Sequence, residues 1–159
     1  MLHIRLIATG SLKEAYWRDA LAEYSKRLGA FAKIDITELK EYRLPENPSP
    51  TEISNALEKE ADGILEALLP RSYVIALCVE GKQLSSEELA ATLCSVMSNQ
   101  GAVTLIIGSS HGLAPRVKAR ADFRLSVSKL TFPHQMMRVL LLETVYRSLS
   151  ILHGSKYHK

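Results

Sequence analysis

Apolar residues along this chain gather in short, nearly unbroken blocks, and stretches with helical spacing separate them. Leu2 to Ala8 alternates loosely and predicts a first strand. Ser11 and Glu14 have the spacing of a capping box, and Tyr16, Ala20, Tyr24 and Leu28 recur at turn intervals up to Gly29, so a helix is expected there. Ile34, Ile36 and Leu39 suggest a second strand, and Pro45, Pro48 and Pro50 mark the loop that follows. Ser49 and Glu52 form a second capping box around Pro50, opening a helix that is expected to reach about Leu69 and stop at Pro70. Tyr73 to Val79 is apolar throughout, as in a strand covered on both faces. Ser85 and Glu88 make a third capping box before a helix to about Ser98, and Ala102 to Ile107 reads as another buried strand ending at Gly108. Pro115 starts a short helix, Phe123 to Val127 a short strand, and Pro133 to Leu152 a long, strongly apolar helix closed by Gly154.

Strands alternating with helices predict an α/β fold, a mostly parallel sheet flanked by helices, in a single domain over residues 1–159. Ligands in such sheets sit beyond the carboxyl ends of the strands, here after Val79, Ile107 and Val127. The 47% hydrophobic content is that of a globular domain and excludes a disordered chain. Cys78 and Cys94 are too few for a disulfide framework or a four-cysteine zinc site, and both are expected in the core. The histidines lack the spacing of a catalytic metal site, so no metal is expected. The longest apolar run, Tyr73 to Val79, is far short of the roughly 20 residues a spanning helix needs. His3 and Arg5 interrupt the opening apolar run, so it does not read as an export signal. A soluble cytoplasmic protein with reduced thiols, and no membrane partner, is expected.

Charge changes the picture in one respect. Residues 1–110 hold 11 Lys/Arg against 15 Asp/Glu, whereas residues 111–159 hold nine against only Asp122 and Glu143. A basic segment on an acidic body suits an anionic partner. Gly108-Ser109-Ser110-His111-Gly112 matches the G-x-S-x-G elbow of serine hydrolases, with Ser110 as nucleophile, but downstream it offers only Asp122 or Glu143 as the acid. A glycine loop admitting a ligand or a neighbouring backbone is the plainer reading. No dinucleotide or P-loop fingerprint is present. The stretch from Ser126 to Arg138 is unusual: small hydroxylated residues precede a helix opened by Pro133, a setting suited to holding a polar ligand by main-chain groups. Arg138 and Arg147 interrupt the apolar helix and invite a carboxylate or phosphate.

Phe132-Pro133-His134-Gln135-Met136-Met137-Arg138, together with Tyr157-His158-Lys159, resembles the RlmH family of SPOUT-class methyltransferases, which methylate N3 of a pseudouridine in large-subunit (23S) ribosomal RNA. The likeness spans the chain and includes Gly10, Leu12, Lys13, Tyr16, Tyr24, Lys26, Arg27, Leu28 and Gly81-Lys82. It implies a SPOUT fold with a C-terminal trefoil knot, a homodimer with a composite site, and S-adenosyl-L-methionine as cofactor. The cofactor positions it implies are Leu77, Gly108 and the loop of Val127, Ser128, Lys129, Leu130, Thr131 and Phe132. It implies catalytic roles for His134, Tyr157, His158 and Arg147, with Tyr157 and His158 acting on the cofactor held by the other copy. His134 and His158 are the candidate bases for removing the N3 proton, and Tyr157 could stack on the base. Lys13, Arg18, Arg138, Lys156 and Lys159 are the expected RNA contacts, with the assembled ribosome as partner. Three departures from the family pattern stand at Ser109, in place of a second glycine, and at His153 and Lys156, in place of arginine and proline. A SPOUT-like binding module without catalysis is the alternative, with the Ser110 hydrolase a distant third.

Overall fold

In the computed structural model, which describes residues 1–158, strands and helices alternate along nearly the whole chain. The strands are β1 (Leu2–Thr9), β2 (Ala32–Leu39), β3 (Tyr73–Lys82), β4 (Ala102–Ile107) and β5 (Phe123–Leu125). The helices are α1 (Ala15–Leu28), α2 (Pro50–Glu66), α3 (Ser86–Asn99), α4 (Pro115–Arg120) and α5 (His134–Leu152). The strands form one sheet in the order β2-β1-β4-β3-β5, with every neighbouring pair parallel.

The sheet is covered on both faces, which is why β3 and β4 are apolar at successive positions. Leu2, Ile4, Leu6, Val103, Leu105 and Ile75 pack into a core with α1, α3 and α5. Ile7, Val74, Ala76 and Ile106 point the other way, against Ala61 and Ile64 of α2 and Val117 of α4. Alternation within one strand thus feeds two cores. Helix α5 lies between α1 and α3, and none of its residues is fully exposed. Leu141, Leu142, Val145 and Leu149 of this helix are buried within one chain.

Local signals hold in two helices and fail in one. The boxes at Ser49 and Ser85 form as expected, each hydroxyl accepting from the N3 backbone and each N3 glutamate from the cap. The Ser11–Glu14 box does not form: Glu14 itself is the N-cap, without a side-chain cap bond. Arg18 orders that turn instead, its Nη1 donating to the carbonyls of Leu12 and Lys13. Helix α2 ends at Glu66 rather than near Leu69, and β5 ends at Leu125 rather than Val127. Cys94, expected in the core, is exposed on α3, whereas Cys78 is buried.

Strand β3 runs past Val79 to Lys82 because it pairs with β5 twice: Leu77 and Lys82 both face Leu125, and the residues between them bulge out. Val79, 82% exposed, is the outer part of this bulge. Gly81 permits it, because a Cβ there would lie 2.7 Å from the carbonyl carbon of Leu125 and 2.8 Å from backbone atoms of Arg124 and Ser126. Gly81→Ala must therefore push β5 away from β3. We expect a loss of about 1–3 kcal/mol, read as a lowered urea midpoint with unchanged slope; an unshifted midpoint would show that β5 yields freely.

Candidate functional site

Because all strands run the same way, their carboxyl ends open on one edge of the sheet. The loop leaving central β4, residues 108–112, crosses that edge and divides it. On one side a cavity of about 550 Å³ lies beyond β3, β4 and β5. On the other a wider cleft of about 980 Å³ lies beyond β1 and β2. Ser109, Ser110, His111 and His134 line both and form the partition.

Of the positions singled out in the sequence, Leu77, Gly108, Val127, Ser128, Leu130, Thr131 and Phe132 all line the smaller cavity; Lys129 does not. The volume lies in the range of small-molecule sites. The loop after β5 is shaped by its own hydroxyls: Ser126 Oγ donates to the Ser128 carbonyl at 3.1 Å, and Ser128 Oγ accepts from the Leu130 amide at 3.0 Å. These hydroxyls hold the loop in its turns. Gly108 brings the partition close, since a Cβ there would fall 2.2 Å from the carbonyl oxygen of Gly112. Only glycine fits that approach.

His134 opens α5 from the partition, its Nε2 donating to the carbonyl of Gly108 in a very short contact. The proton thus sits on Nε2, and Nδ1 is the basic nitrogen. Burial pushes the pKa of His134 below 6.5, against the opposing pull of the Gly108 carbonyl. The imidazole is neutral at physiological pH.

Arg147, Tyr157 and His158 are not brought to His134. Arg147 lies 13 residues further along α5, about 20 Å along the helix axis at the usual rise. There Glu143 accepts from Arg147 Nη2 at 2.5 Å and from the Tyr157 hydroxyl at 3.2 Å, and the Tyr157 ring lies under the Arg147 guanidinium, 4.7 Å away. Burial, with hydrogen bonds to Tyr24 and Glu143, pushes the Tyr157 hydroxyl up to about 12, so it stays protonated. His158 Nε2 contacts Glu87 Oε1 at 2.8 Å, holding the tail on the start of α3. Within one chain the expected catalytic set is therefore split between the two ends of α5.

The expected RNA contacts also divide. Lys13, Arg18 and Lys156 are exposed, and Lys159 lies outside the described residues. Arg138 does not fit the expectation. It is 1% exposed, and its guanidinium donates to the carbonyls of Thr9 and Gly10 and to Glu38 Oε2, at 2.9–3.1 Å. It braces α5 against the end of β1, because a buried cation must satisfy its donors inside the protein. The Ser110 hydrolase is not assembled either. Ser110 is exposed, the nearby His134 is engaged with Gly108, and Arg71 is the one non-glycine residue of positive φ among the described residues, so Ser110 sits on no strained elbow.

Sequence reasoning missed Glu60. It is 5% exposed on α2, accepting from Ser109 Oγ at 3.0 Å and from the Tyr42 amide at 3.1 Å, and burial raises its pKa. Its sequence signal is its place on the buried stripe of Ala56, Ala61 and Ile64, where a carboxylate is out of character. The serine at position 109 is thereby explained: its hydroxyl reaches the carboxylate that steadies the partition.

An open parallel sheet with a concave cavity beyond its carboxyl ends defines an α/β protein with a candidate small-molecule site. The sequence profile described as "Predicted SPOUT methyltransferase" matches residues 2–158, and the chain belongs to that family. Among solved structures, a probable methyltransferase from Bordetella pertussis Tohama I superposes with a TM-score of 0.58 at 18% identity, covering 92% of this chain and 93% of that one. A probable methylase family protein from Haemophilus influenzae Rd KW20 gives 0.53 at 13% identity over 99% of this chain and 70% of that one. At such identities these likenesses speak for the fold.

The depressed pKa of His134 has a thermodynamic consequence. Its folded value lies below 6.5, so its contribution to stability is present above pH 6.5 and is lost as pH falls through the folded value. Below pH 6.5, wild-type melting temperature should fall more steeply than that of His134→Gln, and the imidazole should titrate below 6.5 by NMR. Parallel melting curves would refute this.

Proposed function

We propose that this chain transfers a methyl group from S-adenosyl-L-methionine to N3 of a pseudouridine in 23S ribosomal RNA, on assembled ribosomes in the cytoplasm, as a homodimer with a trefoil knot in its C-terminal part. The observation that carries the reading is the convergence of Leu77, Gly108 and the loop after β5 on one cavity. Membership of the SPOUT methyltransferases supports the reaction class. The cavity also fits the donor chemically: apolar Leu77, Leu130 and Phe132 suit an adenine ring, and backbone groups of the two loops suit its polar edge and ribose.

When bound, S-adenosyl-L-methionine supplies an electrophilic methyl group on a sulfonium. The protein's contribution is orientation and proton removal. Gly108 leaves room at the partition, and Val127, Ser128, Leu130, Thr131 and Phe132 would hold the donor together with it. N3 of pseudouridine is protonated at neutral pH, so a base must accept that proton as the nitrogen attacks. Neutral His134, with Nε2–H fixed on the Gly108 carbonyl, has Nδ1 free for the task. Within one chain Tyr157 and His158 sit at the far end of α5. A second copy whose tail reaches this partition would complete the site, and this incompleteness supports the dimer. Exposed Lys13, Arg18 and Lys156 would meet phosphates.

Calorimetry should detect S-adenosyl-L-methionine binding, weakened about tenfold or more in Gly108→Ala. Radiolabelled methyl transfer to ribosomes from a strain lacking the protein, followed by mapping of the modified base, should give N3 of a pseudouridine. Ser110→Ala should keep most activity, whereas removal of residues 157–159 should abolish transfer and leave donor binding intact. Absence of donor binding, or transfer undiminished by the truncation, would overturn the reading.

A further inference from the structure

The cleft beyond β1 and β2 carries Lys13 at its edge and shares a wall, including His134, with the donor cavity. On that cleft, in the β2–α2 loop, stands Tyr42, 38% exposed. Lys40 Nζ and Lys59 Nζ lie 5.9 Å and 5.6 Å from its ring centroid. Both ammonium groups lie over the partly exposed ring; a nucleobase that displaces these long, flexible side chains from it gains a ring to stack on, and the displaced cations can meet the adjoining phosphates.

The backbone that carries the ring is also held in place. The Tyr42 amide donates to Glu60 Oε1, and Glu60 Oε2 accepts from Ser109 Oγ, so a two-bond tether joins the tyrosine backbone to the partition. Two polar groups of residues in the cleft wall, Thr9 Oγ1 and Arg138 Nε, are buried without a hydrogen-bond partner. Glu41 and Glu46 alternate with Lys40 and Arg43 along the cleft. That mixture favours a neutral base inside and keeps phosphates at the rim.

We propose that Tyr42 is the stacking platform for a nucleobase of the RNA substrate, and that this cleft is the RNA subsite, set at a fixed spacing from the donor cavity by Glu60 and Ser109. The proposal rests on the RNA substrate of the preceding subsection. It calls for a base unpaired near the target, because a base inside a duplex has no free face to offer.

The test uses the full-length protein titrated into a single-stranded RNA carrying 2-aminopurine, whose fluorescence is quenched on stacking. Wild type and Tyr42→Phe should quench alike; Tyr42→Ala should lose the quench and bind about tenfold more weakly, with an unchanged melting temperature. Calorimetry with S-adenosyl-L-methionine is run on the same samples. Equal quenching by wild type and Tyr42→Ala, or none by wild type, overturns the platform even where the donor binds. Tyr42-dependent quenching without donor binding supports the platform and strikes only at the methyltransferase reading.

Discussion

The shared direction of the strands is the constraint on which the rest depends. Every pairing in the sheet is parallel, so every strand delivers its chain to the same edge. Parallel strands need long crossovers, and here helices supply them on both faces, leaving that edge as the place where loops meet. Since β4 lies at the centre of the order, the loop that follows it divides the edge in two. The absence of a side chain at Gly108 lets the loop fold tightly on itself at Gly112, and its hydroxyl at Ser109 is anchored to Glu60. A small shift of this one segment is felt in both hollows.

Helix α5 imposes a second condition. It starts at the partition and carries Arg147 and the tail at its far end, where Glu143, Tyr146 and Tyr157 form a tight polar–aromatic cluster. Arg138, near its start, locks it to the end of β1 through two backbone carbonyls and Glu38. The helix is thus fixed relative to the sheet, and the two groups of side chains it carries stay apart within a single chain. The proposed dimer would unite the groups without bending the helix.

The fold was legible because strands buried on both faces cannot hide in a sequence: Tyr73 to Val79 and Ala102 to Ile107 are apolar at every position or nearly so. The candidate cavity was legible because it lies where such strands end. Side-chain partnerships were less so. Ser11 and Glu14 had the right spacing for a cap, yet Arg18 ordered the turn, since a long donor can reach two carbonyls that local periodicity does not reveal. Arg138 is expected from the sequence to seek a carboxylate or phosphate, with RNA as the source; its acceptors instead come from Glu38 in β2 and from the end of β1, 100 or more residues away in the chain. The bulge in β3 depends on β5 pairing with it twice, a matter of register between distant segments. Glu60 gave a signal, an acid on an apolar stripe, whose meaning needed Ser109 and Tyr42 in view.

The two thiols differ in a way that follows from the bulge and the sheet's double cover. Cys78 is buried beside the smaller cavity, and loss of hydration keeps its sulfur protonated and a poor nucleophile. Cys94 stands open to solvent on α3. Alkylating reagents and oxidants will therefore meet one sulfur first, and a dye or spin label attached there would report on the protein without touching the edge where its loops converge.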